Sequence, residues 1–167
     1  MVSTLKKKII VLTIILILLD QITKLLVTLN INLNTGINLI PSFFSLVYVQ
    51  NTGAAWGMFS SGTIILALLS IIFLAFFVKY IIDRKDMDNF EVVINSMLIG
   101  GIVGNLIDRL VRGYVVDFFS FKIFSYNFPI FNVADCFIVI SIILLLFKIY
   151  FLDKKKKVVN IDDSEGK

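Results

Sequence analysis

Two carboxylates in this chain stand where their surroundings make an ionised carboxylate costly. Asp117 lies in YVVDFFSF, flanked by Val115, Val116, Phe118 and Phe119, and such a group must be paired or protonated. Asp135 follows Pro129 and Asn132 and opens an apolar run. That places Asn132 at a helix N-cap and Asp135 at N3, where the helix dipole favours negative charge. Two carboxylates brought together share a proton. One can then act as base toward a water while the other donates to a peptide carbonyl, which is aspartic peptidase chemistry. Capping alone explains Asn132 and Asp135, but it leaves Asp117 without a reason.

A second polar group precedes them in GGIVGNLIDRLVRGYVVDFFSF, Gly100–Phe121. In a helix, Asn105, Asp108, Arg109 and Arg112 recur at i, i+3, i+4 and i+7, on one face. Gly100 and Gly104, four apart, permit close approach of a neighbouring helix. An ion-paired helix end snorkelling to a membrane surface would have the same pattern. Near the N-terminus, Asp20 and Lys24 stand i, i+4 inside an apolar run and can pair on its inward side.

The elements that must carry these residues are membrane helices. The chain has 167 residues, about one domain. It is 58% hydrophobic, with mean hydropathy +0.94, and several apolar runs approach the ~20 residues that span a bilayer. The expected fold is an all-α membrane protein with four transmembrane helices, about 9–29, 63–82, 90–110 and 132–152, in a single domain. Roughly fifteen Leu, Ile and Val residues in the first run, at about −0.3 to −0.6 kcal/mol each, offset the ~2.5–3.5 kcal/mol of each charge there. That run is too long for a signal-peptide core and no small-residue cleavage site follows, so it is read as an uncleaved helix.

Between the helices, 31–61 and 111–131 are expected at the outer surface. Phe43–Gln50, after Pro41, suits a strand, and Tyr114–Phe121 suits extended chain. Together they predict a small β-sheet on the outer membrane surface, with Trp56 at the interface and Gly53 and Gly57 breaking regularity. Lysine and arginine concentrate in the N-terminal flank, in Asp83–Asn89 and in the tail 153–167. The positive-inside rule makes both termini and the tail cytoplasmic. Asn51, Asp108, Arg109, Asp117, Asn132 and Asp135 then gather at the outer leaflet.

Composition removes many alternatives. There is no histidine, hence no Ser-His-Asp or Cys-His catalysis and no imidazole metal site. The single cysteine, Cys136, about 100° around a helix from Asp135, forms no internal disulfide or thiolate cluster and is read as a packing residue. No metal and no cofactor is expected. The net charge of +4 sits beside apolar runs and indicates membrane orientation, with no nucleic-acid partner. Spacing alone leaves open a peptidase, a small transporter with Asp20, Lys24 and Asp108 lining an ion path, and a noncatalytic adaptor whose sheet binds a partner strand. The GxGD motif of presenilin-like proteases is absent.

Five segments, in order, narrow the choice: DQITK (Asp20–Lys24), NTGAAWG (Asn51–Gly57), GNLIDR (Gly104–Arg109), GYVVDF (Gly113–Phe118) and FNVAD (Phe131–Asp135). The series resembles that of lipoprotein signal peptidase, signal peptidase II, from the first helix to the fourth. The resemblance implies a bacterial plasma-membrane aspartic endopeptidase that acts on diacylglyceryl-modified prolipoproteins among membrane lipids, cutting before the lipidated cysteine. It implies Asp117 and Asp135 as the catalytic dyad and Asn51, Asn105, Arg109 and Asn132 around the substrate. Asp20, Lys24 and Asp108 are then supporting charges, and a monomer is expected.

Overall fold

The computed structural model describes residues 2–53 and 62–153. The expectations for Trp56, for Gly57 and for the tail 154–167 lie outside these residues. Four long helices carry the chain: α1 (Val2–Asn30), α2 (Thr63–Asp83), α3 (Asn89–Arg112) and α4 (Val133–Phe147), the last continuing as a π-helical turn over Lys148–Asp153. All four are long and apolar enough to cross a membrane. The expected boundaries hold to within a few residues except at the start of α1. Lys6, Lys7 and Lys8 were read as a flank but are helical, because straight-chain residues propagate a helix readily.

α3 is the central helix and packs on α1, α2 and α4. Its apolar window is half buried, whereas large apolar side chains on the other three face outward, as on Leu29, Ile64, Phe76 and Ile143. Glycines make the central crossings possible. A Cβ on Gly104 would stand 2.6 Å from the Asp20 carboxylate, and one on Gly101 would stand 2.5 Å from the Ala134 carbonyl oxygen. The expected close approach at Gly104 is therefore present, and Gly101 brings in α4.

Caps fix the helix ends. Asp88 and Glu91 form a capping box at the start of α3, the reciprocal arrangement that satisfies two exposed donors. At this same end Lys148 reaches Asp88 at 2.6 Å and Glu91 at 3.1 Å, while Arg84 pairs with Glu91 at 3.1 Å, tying α4 to the α2–α3 turn. α3 ends at Gly113, whose φ of 79° is the left-handed conformation that glycine adopts without steric cost.

The opposite end of the bundle carries a four-stranded antiparallel sheet in the order β1-β2-β3-β4. The strands are β1 (Gly36–Ile40), β2 (Phe44–Asn51), β3 (Val115–Ile123) and β4 (Tyr126–Asn127). The branched and aromatic runs form β2 and β3 as expected, while β1 and β4 were not anticipated. Tyr48, Val116 and Phe118 on one sheet face pack against Val27 and Ile31 at the end of α1. Alternation along β3 turns Val115 and Asp117 to the other face.

A bulge sets what joins Asp117 there. Leu46 pairs with Phe119 and Val49 with Asp117, so three steps on β2 match two on β3. The extra residue reverses the alternation of β2 beyond it. Asn51, opposite Val115, thereby comes to the face of Asp117. An unbulged strand would have turned it toward α1.

Candidate active site

The site assembles from four elements: the end of β2, the last turns of α3, β3, and the first turn of α4. Asn132 is the N-cap of α4. Its side chain accepts from the Asp135 N–H at 3.0 Å, and its own N–H donates to Asp135 Oδ2 at 3.1 Å. The expected cap geometry is thus present, and Asn132 does more than cap. Its Nδ2 donates to Asp117 Oδ1 at 2.6 Å and to Asn105 Oδ1 at 3.1 Å. A single residue therefore touches both carboxylates, one through its side chain and the other through its backbone.

Each carboxylate has a second donor. Asn51 Nδ2 donates to Asp117 Oδ2 at 2.8 Å, and Asn51 Oδ1 is itself held by the Gly53 N–H at 2.9 Å. Asn105 Nδ2 donates to Asp135 Oδ1 at 2.7 Å. Asp117 is 2% exposed. Burial first, and the neighbouring Asp135 charge second, push its carboxyl up to about 7, against the lowering effect of the Asn51 and Asn132 hydrogen bonds. Asp117 thus holds its proton up to near neutrality.

A buried ionic layer beneath the pair holds it in place. Lys24 Nζ, wholly buried, reaches Asp20 Oδ2 at 2.8 Å, Asp108 Oδ2 at 3.0 Å and Asn105 Oδ1 at 2.9 Å. All three ammonium donors are used. Each acceptor then grips another element. Asp20 Oδ1 accepts from the Ala134 N–H at 3.0 Å in the first turn of α4. Asp108 Oδ2 accepts from the Val116 N–H at 3.1 Å, one residue before Asp117. The supporting charges thereby fix the backbone beside both aspartates. Gln21, a missed member of this layer, donates to Asp20 Oδ2, Asp108 Oδ1 and the Gly104 carbonyl at 3.1–3.3 Å. Its place beside Asp20 in an apolar run was the available signal.

The polar stripe of α3 divides between two partners. Asp108 pairs with Arg112 at 2.8 Å and with Lys24 of α1, whereas Asn105, which also meets Lys24, and Arg109 line a cavity with Asp117 and Asp135. The stripe was expected as a single face, but neighbours on two sides share it. Arg109 reaches its own helix at the Asn105 carbonyl, 3.4 Å away. Among the described residues its guanidinium has no carboxylate within 4 Å.

The cavity measures about 630 Å³, and beyond the carboxylates it is lined by Ser70 of α2, Ile102 of α3, Ile138–Ile140 of α4 and Phe128–Phe131. Its polar end carries Asn51, Asn105, Arg109, Asp117 and Asp135, and its other walls are mainly apolar. Cys136, half-buried, also lines it. The turn of α4 that aims Asp135 at the cavity exposes the next side chain at its edge.

Comparison with known proteins shows the family. The family model for signal peptidase (SPase) II matches residues 12–151. The chain is 38% identical over 146 residues to the lipoprotein signal peptidase of Staphylococcus carnosus, covering 87% of this chain and 92% of that one. It is likewise 38% identical over 146 residues to that of Symbiobacterium thermophilum, covering 87% and 96%. A solved bacterial membrane enzyme superposes with a TM-score of 0.78 at 34% identity, over 89% of this chain and 90% of its own. With four membrane-length helices, a histidine-free polar site and these likenesses, the chain belongs to the signal peptidase II family, the lipoprotein signal peptidases.

Proposed function

We propose that Asp117 and Asp135 are the catalytic dyad with which this membrane protease removes signal peptides from prolipoproteins. The observation that carries the proposal is Asn132, which binds both carboxylates at the mouth of one cavity. Asp135, in the first turn of α4, takes a proton from water as the water oxygen attacks the scissile carbonyl carbon. Asp117, protonated, gives its proton to the carbonyl oxygen, forming a gem-diol. In collapse the C–N bond breaks, the amine nitrogen receives the proton held by Asp135, and a hydroxyl proton of the gem-diol returns to Asp117. The pair ends as it began.

The cavity supports a lipidated substrate. The diacylglyceryl chains lie along Ile138–Ile140 and Ile102, and the peptide crosses the sheet end so that the bond before the modified cysteine meets the carboxylates. Asn51, Asn105 and Asn132 hold the dyad at the substrate, and Arg109, free of carboxylate partners among the described residues, donates to a peptide carbonyl or lipid ester. The lysines and arginines of the N-terminal flank, of Asp83–Asn89 and of the tail support both termini in the cytoplasm, with the sheet and site at the outer leaflet of the bacterial plasma membrane. The single membrane domain acts as a monomer.

Cleavage assays with purified protein test the substrate claim. Diacylglyceryl-modified precursor should be cut and the unmodified precursor spared. Arg109→Ala should weaken handling of the modified substrate with little loss of folded protein. Equal cutting of both precursors would remove the lipid from the recognition model. A reporter after Lys157 should be cytoplasmic and one within 31–61 external; both on one side would overturn the topology.

A further inference from the structure

We infer that the sheet's far rim inserts into the lipid bilayer as a second membrane anchor beside the four helices. The turn joining β1 to β2 and the turn joining β3 to β4 lie side by side at this rim, linked by the Lys122 N–H donating to the Phe43 carbonyl at 2.8 Å. Six apolar or aromatic side chains are exposed there: Leu39, Ile40, Phe43, Ile123, Phe124 and Tyr126. Phe124 is 96% exposed and has φ 54°, a conformation bulky residues seldom adopt and which glycine or asparagine would take readily. A water-facing turn gains nothing from a phenylalanine there. One that meets hydrocarbon does.

The occupant is a phospholipid leaflet, on two further grounds. First, across 31–61 and 118–134 the sequence carries one charged residue, Lys122. Its side chain is exposed at the rim, where a lone lysine among aromatics suits the phosphate layer. Second, the sheet begins at the ends of helices that are long enough to cross a membrane and carry outward apolar side chains. From Asp117 to Ile123 the strand runs roughly 20 Å. A sheet standing upright would hold the apolar rim that far out in water, whereas a sheet lying along the membrane buries it and holds Asp117 at a fixed depth. The inference rests on the proposed outer-surface placement of the sheet, but it is read without catalysis.

The test attaches an environment-sensitive fluorophore at Phe124→Cys, and separately at Asp86→Cys, each in a Cys136→Ser background, with the protein in vesicles of phosphatidylglycerol and phosphatidylethanolamine. Asp86, 94% exposed in the α2–α3 turn, is the aqueous reference. The label at 124 should emit to the blue of the label at 86, be quenched by lipids carrying a quencher near the headgroup, and be shielded from iodide. Adding Phe43→Glu and Ile40→Glu should reverse these effects. Iodide access at 124 equal to that at 86 would overturn the anchor. Shielding from both quenchers, with a dimer by sedimentation, would overturn it in favour of a second copy covering the rim.

Discussion

Lys24→Met isolates the contribution of the buried cation at nearly constant side-chain length. In the folded protein its ammonium meets Asp20 at 2.8 Å, Asp108 at 3.0 Å and Asn105 Oδ1 at 2.9 Å, with Lys24, Asp20 and Asp108 all wholly buried. Removing it leaves two facing carboxylates without their shared counter-ion, and breaking a buried pair in this way costs about 3–5 kcal/mol. Asp108 keeps Arg112 at 2.8 Å and the Val116 N–H at 3.1 Å, so the exposed liability is Asp20. Lys24→Met should lower the unfolding midpoint in detergent by on the order of 10 °C. Adding Asp20→Asn should restore most of the loss, because the amide oxygen can still accept from the Ala134 N–H. A midpoint unchanged by Lys24→Met, or no recovery in the double variant, would refute the idea that this cation holds α1, α3 and the start of α4 together.

Gly104→Ala places a Cβ 2.6 Å from the Asp20 carboxylate and 3.4 Å from Ala134 Cβ, so thermal unfolding should show a loss of about 1–3 kcal/mol from overpacking. Gly113→Ala, which meets no atom within 4 Å, should show only the smaller penalty of its left-handed backbone. The raised Asp117 carboxyl makes stability pH-dependent. Its ordinary value is 3.8 and its folded value about 7, so the folded protein binds the extra proton between them and stability falls as pH rises through that window. Asp117→Asn should therefore be more stable than the parent above pH 7, by on the order of 4 kcal/mol, with the advantage vanishing near pH 4. Turnover by the parent should decline as pH rises through about 7, where the dyad loses its shared proton.

The helices were legible because the bilayer demands length and apolarity, and both are countable. The α4 cap was legible too, since a polar residue three before a carboxylate at the head of an apolar run has few other uses. The Asp20–Lys24 pair followed from an i, i+4 spacing in a setting where an unpaired charge is costly. What spacing could not supply was the third dimension. Arg109 lines the cavity, Asp108 turns to Lys24 of α1, and Asn105 meets both sides, accepting from Lys24 and donating to Asp135; no periodicity says which helix lies on which side. The bulge between Leu46 and Val49, which turns Asn51 toward Asp117, has no glycine or proline to announce it. β1 was hidden because GINLI, with its glycine and asparagine, is a poor strand by propensity and depends on its pairing with β2. Gln21 stood between two charged residues without a role, and Cys136 could be assigned to the cavity only after α4 was seen to face it.

The most direct measurement is single-turnover cleavage of a diacylglyceryl-modified precursor by purified parent, Asp117→Asn, Asp135→Asn and the double variant, at matched folded concentration. Aspartic catalysis by a dyad predicts that each single substitution abolishes cleavage and that the double variant is scarcely worse than either, because the two groups act as one unit. Near-parental turnover in either single variant would contradict the dyad and transfer the chemistry to other residues of the cavity.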